Sequence, residues 1–525
     1  MKHCTVTFRP DKQTVSIHQG ATLLEAAGRA GIILNTTCGG KGICGKCAVT
    51  LEPGQKQVLA CQYRVESDLT VTIPVSSRFF EQQILTEGTT PQRRITPDIY
   101  ENHVATGAAV ILGVAVDIGT TTVVAKLLDM KDGRRLATES ALNPQSRHGD
   151  DVVTRISYAG TDEKLTELHN LIIGCVNDLI ARLCKKASVR QDDIYETCVV
   201  GNTTMGHLFL KFPVEQLGLA PYKAYSLDAH DVPVSRVGLN MNPAGNIHTV
   251  ENIAGYVGAD TTAVALATGI DSAEQVTLAV DIGTNGELVL AAGGRLYAAS
   301  CAAGPALEGA RITCGSRAVQ GAIQGIIQNS ADIELDVIGD VPAVSICGSG
   351  LIDAVAVLLD LGVIDKTGRF TDPGNLAAAI ASRVFYYNDQ PAFMLARGGG
   401  DMPDVFVTQA DIREFQLSKG AIRAGIKILQ KRVGLKDTEI DRILLAGAFG
   451  NYIRAESALR SGLLPELPCE RLHFVGNAAA VGAEMLLLSS RCRKLAGQLA
   501  QRIEYVEIAH ERQFGDIFAD SMFLP

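Results

Sequence analysis

One apolar segment that occurs twice constrains the fold of this chain more than any other feature. The first copy, residues 113–128, reads Gly-Val-Ala-Val-Asp-Ile-Gly-Thr-Thr-Thr-Val-Val-Ala-Lys-Leu-Leu. The second copy, residues 277–290, reads Thr-Leu-Ala-Val-Asp-Ile-Gly-Thr-Asn-Gly-Glu-Leu-Val-Leu. Each copy predicts an apolar strand, a Gly-Thr turn and a returning strand. An internal repeat of this kind predicts that the same structural device is used twice.

The residues of both predicted hairpins suit the binding of a polyphosphate. Glycine lets the backbone approach a phosphate closely, hydroxyl and N–H groups donate to phosphate oxygens, and an aspartate at a strand end can hold hydrated Mg²⁺. A single Asp-Ile-Gly-Thr also makes an ordinary hairpin turn, so the prediction of a nucleotide site depends on the pair. We predict that Asp117 and Asp281 hold magnesium through water. The predicted nucleotide contacts in the hairpins are Asp117, Gly119, Thr120, Thr121, Thr122, Asp281, Gly283, Thr284 and Asn285.

Three segments rich in small residues complete a recognisable order around the repeat. They read Asn-Ile-Ala-Gly-Tyr-Val-Gly-Ala-Asp-Thr-Thr-Ala at 252–263, Ile-Leu-Leu-Ala-Gly-Ala-Phe-Gly-Asn-Tyr-Ile at 443–453 and Gly-Asn-Ala-Ala-Ala-Val-Gly-Ala-Glu at 476–484. The order resembles the superfamily of actin, sugar-kinase and heat-shock-chaperone ATPases. That resemblance implies that ATP is the nucleotide and that the first and third segments form helices crossing closely at a hinge between two lobes. It also implies that Gly447, Ala448 and Phe449 lie at the adenosine.

Four cysteines near the start of the chain predict an iron–sulfur cluster. Cys38, Cys44 and Cys47 have the spacing C-x5-C-x2-C, and Cys61 follows alone. Thiolates bind iron, and a loop rich in glycine lets three sulfurs converge while N–H groups turn toward the anionic cluster. The first gap is one residue longer than in plant-type ferredoxins, which does not argue against a [2Fe–2S] cluster. A structural zinc site is the main alternative, although zinc sites usually use a second close pair rather than a solitary fourth cysteine.

The segments around these cysteines predict a small separate domain. Residues 5–8, 14–17, 47–51 and 69–74 are predicted strands, and residues 22–31 have helical apolar spacing behind a threonine cap. The module resembles the β-grasp ferredoxins. Turn and breaker residues then predict a linker. The predicted division is a [2Fe–2S] ferredoxin-like domain at 1–75, a linker at 76–112 and an ATPase domain at 113–525, with lobe I at about 113–275, lobe II at about 276–475 and a return to lobe I at about 476–525.

The predicted fold class is therefore multidomain, α/β and α+β. An N-terminal β-grasp [2Fe–2S] ferredoxin-like domain is joined by a linker to a C-terminal, two-lobed actin/sugar-kinase-like ATPase domain.

Composition excludes two classes of partner and predicts a compartment. A net charge of −9 with no basic run, and a lack of tryptophan, argue against a nucleic-acid surface. The apolar stretch 104–116 is too short to span a bilayer, so no membrane partner is expected. Nine cysteines outside the motif form no close pair and lie mostly in apolar segments, which favours buried thiols and a reducing cytoplasm.

A cluster module fused to this type of ATPase identifies a narrower resemblance. The chain resembles the reductive activators of corrinoid proteins, which are ATP-dependent activases of corrinoid methyltransfer systems in anaerobes. Further segments carry the likeness: 143–156, Gly-Asn-Thr-Thr-Met at 201–205, 303–310 and Ile-Cys-Gly-Ser-Gly-Leu-Ile-Asp-Ala at 346–354. The resemblance implies that one electron passes from the [2Fe–2S] cluster to Co(II) of a corrinoid protein and regenerates Co(I). It also implies a low-potential electron donor and is compatible with a homodimer.

Two other functions stay open from the sequence. One is an ATP-driven electron activator of another low-potential enzyme, and the other is a kinase or chaperone-like ATPase with a redox-sensing iron–sulfur domain.

Several residues have less specific predictions. The polar segment 143–155 is either a capped helix start or a contact with phosphate or partner, and Glu308 and Arg311 are predicted on the adenosine side. Gly348-Ser-Gly opens a helix that either binds an anion or packs closely. The sequence assigns no residue to activating the water for ATP hydrolysis.

Overall fold

A computed structural model describes residues 3–9, 12–30, 32, 34, 42, 45, 47–54, 56–74, 77, 95–107, 109–329, 332–400, 402–447 and 453–525. The strands are β1 (His3–Arg9), β2 (Gln13–His18), β3 (Ala48–Glu52), β4 (Lys56–Leu59), β5 (Leu69–Thr72), β6 (Leu112–Ile118), β7 (Thr122–Asp129), β8 (Arg135–Leu142), β9 (Ile194–Gly201), β10 (His230–Pro233), β11 (Asn246–Thr249), β12 (Thr277–Ile282), β13 (Gly286–Ala292), β14 (Arg295–Cys301), β15 (Ala322–Gln328), β16 (Ile333–Val337), β17 (Ser345–Ile346), β18 (Val384–Tyr387), β19 (Gln390–Ala396), β20 (Val405–Thr408), β21 (Arg442–Ala446), β22 (Leu472–Gly476) and β23 (Ile503–Tyr505). The helices are α1 (Leu23–Arg29), α2 (Val152–Tyr158), α3 (Asp162–Ala187), α4 (Thr203–Leu210), α5 (Val234–Val237), α6 (Ala259–Thr268), α7 (Gly348–Asp360), α8 (Ala378–Ala381), α9 (Gln409–Val433), α10 (Ala455–Arg460), α11 (Ala478–Leu488), α12 (Ser490–Arg502) and α13 (Phe514–Met522).

The N-terminal part is a five-stranded sheet covered by α1, which confirms the strands and the helix expected there. The strand order is β2-β1-β5-β3-β4, and β1 and β5 run parallel. Alternation along β1 puts Val6 and Phe8 on the buried face, where Leu23 of α1 is also buried. The helix begins with a capping box between Thr22 and Glu25, which satisfies N–H groups that the helix itself leaves unpaired.

The duplicated segment forms two antiparallel hairpins, each inside its own six-stranded sheet. One sheet has the order β10-β11-β9-β6-β7-β8 and the other β22-β21-β12-β13-β14-β23. In each sheet the first strand of the hairpin also pairs in parallel with a later strand, β9 or β21. The two sheets therefore repeat one construction around β6–β7 and β12–β13, as the internal repeat predicts.

Helices α6 and α11 lie in a core that both sheets share. This core contains Ala263 of α6, Ala483 of α11, Ala115 of β6 and Ala279 of β12. A Cβ added at Gly482 of α11 would lie 2.3 Å from the carbonyl oxygen of Ala263. The two helices thus cross with backbone against backbone, which confirms the predicted close crossing of the two segments rich in small residues.

The end of the predicted linker contains a short helix. Residues Ile99–Thr106 form a 3₁₀ helix, in which Ile99 and His103 are buried. The duplicated hairpin begins at Leu112, one residue before the predicted boundary. Of the nine cysteines outside the motif, all but Cys314 and Cys469 are buried.

Candidate functional site

A backbone hydrogen bond closes the turn of each hairpin, and the first turn is one residue longer than the second. Gly119 N donates to Thr122 O at 2.8 Å in the first turn, and Gly283 N donates to Asn285 O at 2.9 Å in the second. A Cβ on Gly119 would lie 2.8 Å from Thr122 O, so this turn needs glycine. The turns place Thr120, Thr121, Thr284 and Asn285 at the hairpin tips, with Thr122 opening β7.

The structure brings the two tips into contact through their hydroxyl groups. Thr121 Oγ1 and Thr284 Oγ1 are 3.2 Å apart. Glu308 lies against both of them: Thr121 Oγ1 donates to Glu308 Oε2 at 3.0 Å, and Thr284 Oγ1 donates to Glu308 Oε1. The loop after β14 thus brings the carboxylate of Glu308, which was predicted on the adenosine side, between the two turns. Arg311 lies just beyond that loop and is exposed.

Four acidic side chains lie close enough to influence each other beside the turns. Burial and the Asp260 carboxylate raise the pKa of Asp117 to about 7, and burial with Asp260 and Asp117 does the same for Asp281. Burial raises the pKa of Asp260 to about 6 and that of Glu287 well above its usual range. Such a concentration of carboxylates in a buried place attracts a cation, since a cation would allow all of them to ionise.

Within the described ranges, no three His, Cys, Asp or Glu side chains converge closely enough to hold a metal ion directly. The carboxylates of Asp117 and Asp281 fit a hydrated magnesium ion instead, because Mg²⁺ keeps several of its waters in proteins. Asn477 Nδ2 donates to Asp117 Oδ2 at 3.2 Å and fixes one of these carboxylates.

The end of β21 passes directly over Asp281. Gly447 has φ of +99°, and a Cβ there would lie 2.5 Å from Asp281 Oδ1. Glycine is therefore required by both backbone conformation and space. The other two residues predicted at the adenosine, Ala448 and Phe449, lie outside the described residues.

Three side chains that the sequence did not assign to the site hold the first turn. Asn143 Nδ2 donates to Gly119 O at 2.9 Å, and Asn202 Nδ2 donates to Thr120 Oγ1 at 3.0 Å. Arg155, which is fully buried, donates through Nη2 to Thr120 O at 2.6 Å. Segments 143–156 and 201–205 contain these residues, so the resemblance had marked the right stretches without their role.

The polar segment 143–155, which runs into α2, therefore has two structural roles. Asp151 caps α2, accepting from Thr154 N at 2.7 Å, as the capped-helix interpretation predicts. Arg155 instead points into the protein, and burial lowers its pKa to about 10. The neighbouring Asp150 has its pKa raised to about 7 by burial, against the lowering effect of Arg317 and Arg155.

The helix start at Gly348-Ser-Gly is closely packed. A Cβ on Gly348 would lie 1.7 Å from Leu307 O, and one on Gly350 would lie 2.2 Å from Ile323 O. These distances favour the packing interpretation over anion binding. Since Leu307 precedes Glu308, the packing also fixes the loop that carries the carboxylate between the turns.

Two of the four motif cysteines lie side by side in the N-terminal part. Cys47 Sγ and Cys61 Sγ are 3.4 Å apart, and both residues are buried. Two thiolates on one tetrahedral metal, each with a bond of about 2.3 Å, lie about 3.8 Å apart. The pair thus fits a shared metal atom and is too far apart for a disulfide. Cys38 and Cys44 lie outside the described residues.

The described glycines of the cysteine loop adopt the conformation that the motif requires. Gly42 and Gly45 have φ of +77° and +70°. A Cβ on Gly42 would lie 2.8 Å from the Gln62 side chain, so the loop closes against the residue after Cys61.

Comparison with known proteins places all three parts of the chain. Residues 6–66 match the 2Fe-2S iron-sulfur cluster binding domain, residues 112–273 the RACo middle region and residues 275–525 the C-terminal domain of RACo, the ASKHA domain. The chain is 33% identical to the corrinoid activation enzyme RamQ of Eubacterium limosum, over 98% of each protein. The chain belongs to the family of reductive activators of corrinoid proteins.

A second relative and a solved structure agree with this membership. The [Co(II) methylated amine-specific corrinoid protein] reductase of Methanosarcina barkeri is 26% identical over 77% of this chain and 76% of its own length. The solved structure of a reductive activator for corrinoid, iron-sulfur protein superposes with a TM-score of 0.74 at 32% identity, covering 99% of this chain and 98% of that one.

Family membership settles two predictions. As a member of this activator family, the chain has a [2Fe–2S] ferredoxin-type domain and an ASKHA-type ATPase fold. The alternative of a structural zinc site at the four cysteines is therefore rejected. The cofactors are a [2Fe–2S] cluster and ATP with magnesium. Among the described residues, no helix is both long and apolar enough to cross a membrane.

Proposed function

We propose that this protein reactivates a corrinoid protein by an ATP-dependent, one-electron reduction of Co(II) to Co(I) in a methyltransferase system. One observation carries the proposal: this chain of the activator family combines a [2Fe–2S] domain with an ATPase fold, and the two hairpins of that fold meet at their tips. The named functions of the two curated relatives support the corrinoid partner.

The two ends of the chain have separate tasks in this proposal. Cys38, Cys44, Cys47 and Cys61 would hold the cluster, which supplies one-electron transfer when bound; the closeness of Cys47 and Cys61 supports that ligand set. We propose domain limits of 1–75, 76–112 and 113–525, with the lobe limits predicted above.

The hairpins would hold the nucleotide. Thr121 and Thr284 are hydroxyl donors for phosphate oxygens, since both already donate to a carboxylate placed between them. Asp117 and Asp281 would hold Mg²⁺ through water, supported by the raised pKa values that ionisation beside a cation would relieve. The remaining proposed contacts, at the hairpins and on the adenosine side, are Gly119, Thr120, Thr122, Gly283, Asn285, Gly447, Ala448 and Phe449.

A need for ATP follows from the energetics of the electron. Plant-type clusters have potentials near about −400 mV, and each ~59 mV of shortfall costs a factor of ten in the equilibrium of a one-electron transfer. Reduction of a lower-potential couple therefore runs uphill without another source of free energy. A nucleotide that binds one arrangement of the two lobes more tightly than another can shift that equilibrium.

The partners needed are a corrinoid protein and a low-potential electron donor. The buried thiols support a reducing cytoplasm as the place of work. Size-exclusion chromatography with light scattering tests whether the working form is a homodimer.

The test is an anaerobic reaction followed by visible absorption. Purified protein, a strong reductant, ATP with Mg²⁺ and a Co(II) corrinoid protein are mixed, with matched reactions that lack ATP or use a Cys61→Ala variant. We expect the Co(I) spectrum only in the complete reaction. If no corrinoid protein of a methyltransferase system yields ATP-dependent Co(I), the proposal is refuted.

A further inference from the structure

Glu308 places a carboxylate where the two hairpin turns meet. Its two oxygens accept hydrogen bonds from one threonine hydroxyl of each turn, and only 5% of the residue is exposed. These are the hydroxyls that the proposed function assigns to phosphate oxygens. When phosphates take those donors, the carboxylate is displaced from both threonines.

The backbone of Glu308 cannot move far when this happens. Gly348 packs against Leu307 O on one side, and on the other a Cβ on Gly309 would lie 1.9 Å from Ser316 O. Gly309 N also closes a tight turn on Ala306 O at 2.9 Å. The displaced carboxylate can therefore turn only about its own side-chain bonds and stays close to the two hairpin tips.

Glu308 lies in a buried and charged environment. The buried arginines Arg155 and Arg317 act on it electrostatically, and its carboxylate oxygens accept hydrogen bonds from the two threonine hydroxyls. The carboxylate is therefore held at the hairpin tips by the same hydroxyl groups that phosphate oxygens would use.

We propose that Glu308 orients the attacking water and accepts its proton during ATP hydrolysis, a role that rests on the proposed ATP site. The water oxygen forms a bond to the terminal phosphorus, and the bond from that phosphorus to the oxygen shared with ADP breaks. The proton of the water passes to the Glu308 carboxylate and then to solvent. ADP and inorganic phosphate leave, and no electron is exchanged in this step.

The first test separates binding from chemistry. Glu308→Gln keeps the size and hydrogen-bonding capacity of the side chain but cannot accept a proton at neutral pH. We expect the Kd for MgATP to stay within about threefold, and single-turnover hydrolysis, measured with the corrinoid partner present, to slow by about 10²- to 10⁴-fold. The matched control is Glu334→Gln, the same change at an exposed position of β16 in lobe II, which should hydrolyse ATP at the original rate.

Two further variants keep the proposal falsifiable. Glu308→Asp keeps the charge but withdraws it by one methylene, and should slow hydrolysis at least about tenfold. Glu308→Ala opens space for a small acid, so added formate should restore part of its rate, which a purely structural residue would not show.

The proposal is overturned if the Gln variant hydrolyses ATP within about fivefold of the original rate, loses rate only in proportion to lost ATP affinity, or if formate leaves the Ala variant unchanged. An unsubstituted protein that hydrolyses no ATP would instead refute the proposed function.

Discussion

Gly482 offers a direct test of the close helix crossing that links the two sheets. A Cβ at this position would lie 2.3 Å from Ala263 O and 2.7 Å from Ala263 Cα, whereas ordinary contacts begin at 3.4 Å. Gly482→Ala therefore requires α6 and α11 to separate by about 1 Å at the crossing. Forcing one extra methyl group into a packed core costs about 1–3 kcal/mol.

A matched control removes the contribution of helix propensity. Alanine is favoured over glycine inside a helix by about 1 kcal/mol, which offsets part of the cost at Gly482. Gly174 of α3 is exposed, and a Cβ there would have no heavy atom within 4 Å. The free energy of unfolding should therefore be about 1–3 kcal/mol lower for Gly482→Ala than for Gly174→Ala. Urea unfolding followed by circular dichroism measures this difference.

The same substitution should reduce activity through Asn477. This residue precedes α11 and donates to Asp117 Oδ2, so a shift of the helix moves a proposed magnesium carboxylate. Misplacement by about 1 Å can cost about 10²-fold in rate, and we expect ATP hydrolysis to fall tenfold or more. Equal stability of the two variants within about 0.5 kcal/mol, with normal hydrolysis in both, would refute the argument that the crossing requires glycine.

Three further substitutions test the cluster, the acidic site and a buried ion pair. Cys47→Ala should abolish the EPR signal of the [2Fe–2S] cluster. The control Cys175→Ala, which changes a buried thiol of α3, should keep that signal. A full signal in the Cys47→Ala variant would contradict the ligand assignment. Without Mg²⁺ or nucleotide, Asp281 with a pKa of about 7 holds a proton that the unfolded chain releases above about pH 4, so folding stability falls as pH rises from 4 to 7. Asp281→Asn should therefore be more stable than the original at pH 8, by at least about 1 kcal/mol, and equal to it at pH 3, while losing MgATP affinity; identical pH–stability curves would contradict this. Glu484→Ala removes the carboxylate that lies 2.6 Å from the fully buried Lys126 Nζ, and should lower the free energy of unfolding in urea by about 3–5 kcal/mol. A decrease below about 1 kcal/mol would contradict this expectation.

The parts of this fold that sequence could predict are those whose signal is local. The apolar runs of β6 and β12, each followed by a Gly-Thr turn, predict a hairpin within a few residues of its observed limits. The close crossing of α6 and α11 was predicted from the resemblance to the ATPase superfamily rather than from a local signal, and the glycine and alanine residues of both helices allow their backbones to approach each other. The spacing of Cys38, Cys44 and Cys47 is a local signal as well, because these three residues lie within one short predicted loop.

The parts that sequence could not predict depend on contacts between distant segments. Thr121 and Glu308 are 187 residues apart, and only the placement of both sheets reveals that one carboxylate serves both turns. Asp260 reads as an ordinary acidic residue in the first turn of α6, yet it raises the pKa values of Asp117 and Asp281. Fully buried Arg155 was equally hidden, since arginine in a polar segment usually indicates a solvated surface.

Helix α11 joins the proposed nucleotide site to the end of the linker. Asn477, just before its first residue, bonds to Asp117, and Leu488 O at its last residue accepts from Asp98 N at 3.0 Å. Asp98 also accepts from Ser490 N at 2.7 Å and from its hydroxyl at 2.5 Å. With 11 residues, α11 spans about 16 Å between these anchors. Because a helix of this length is stiff, a shift of α11 that follows Asp117 also moves the carbonyl to which Asp98 is bound. The residues that lead back toward the cluster domain are thus attached to the same helix that supports the proposed magnesium carboxylate, and a change at one end of α11 must be accommodated at the other.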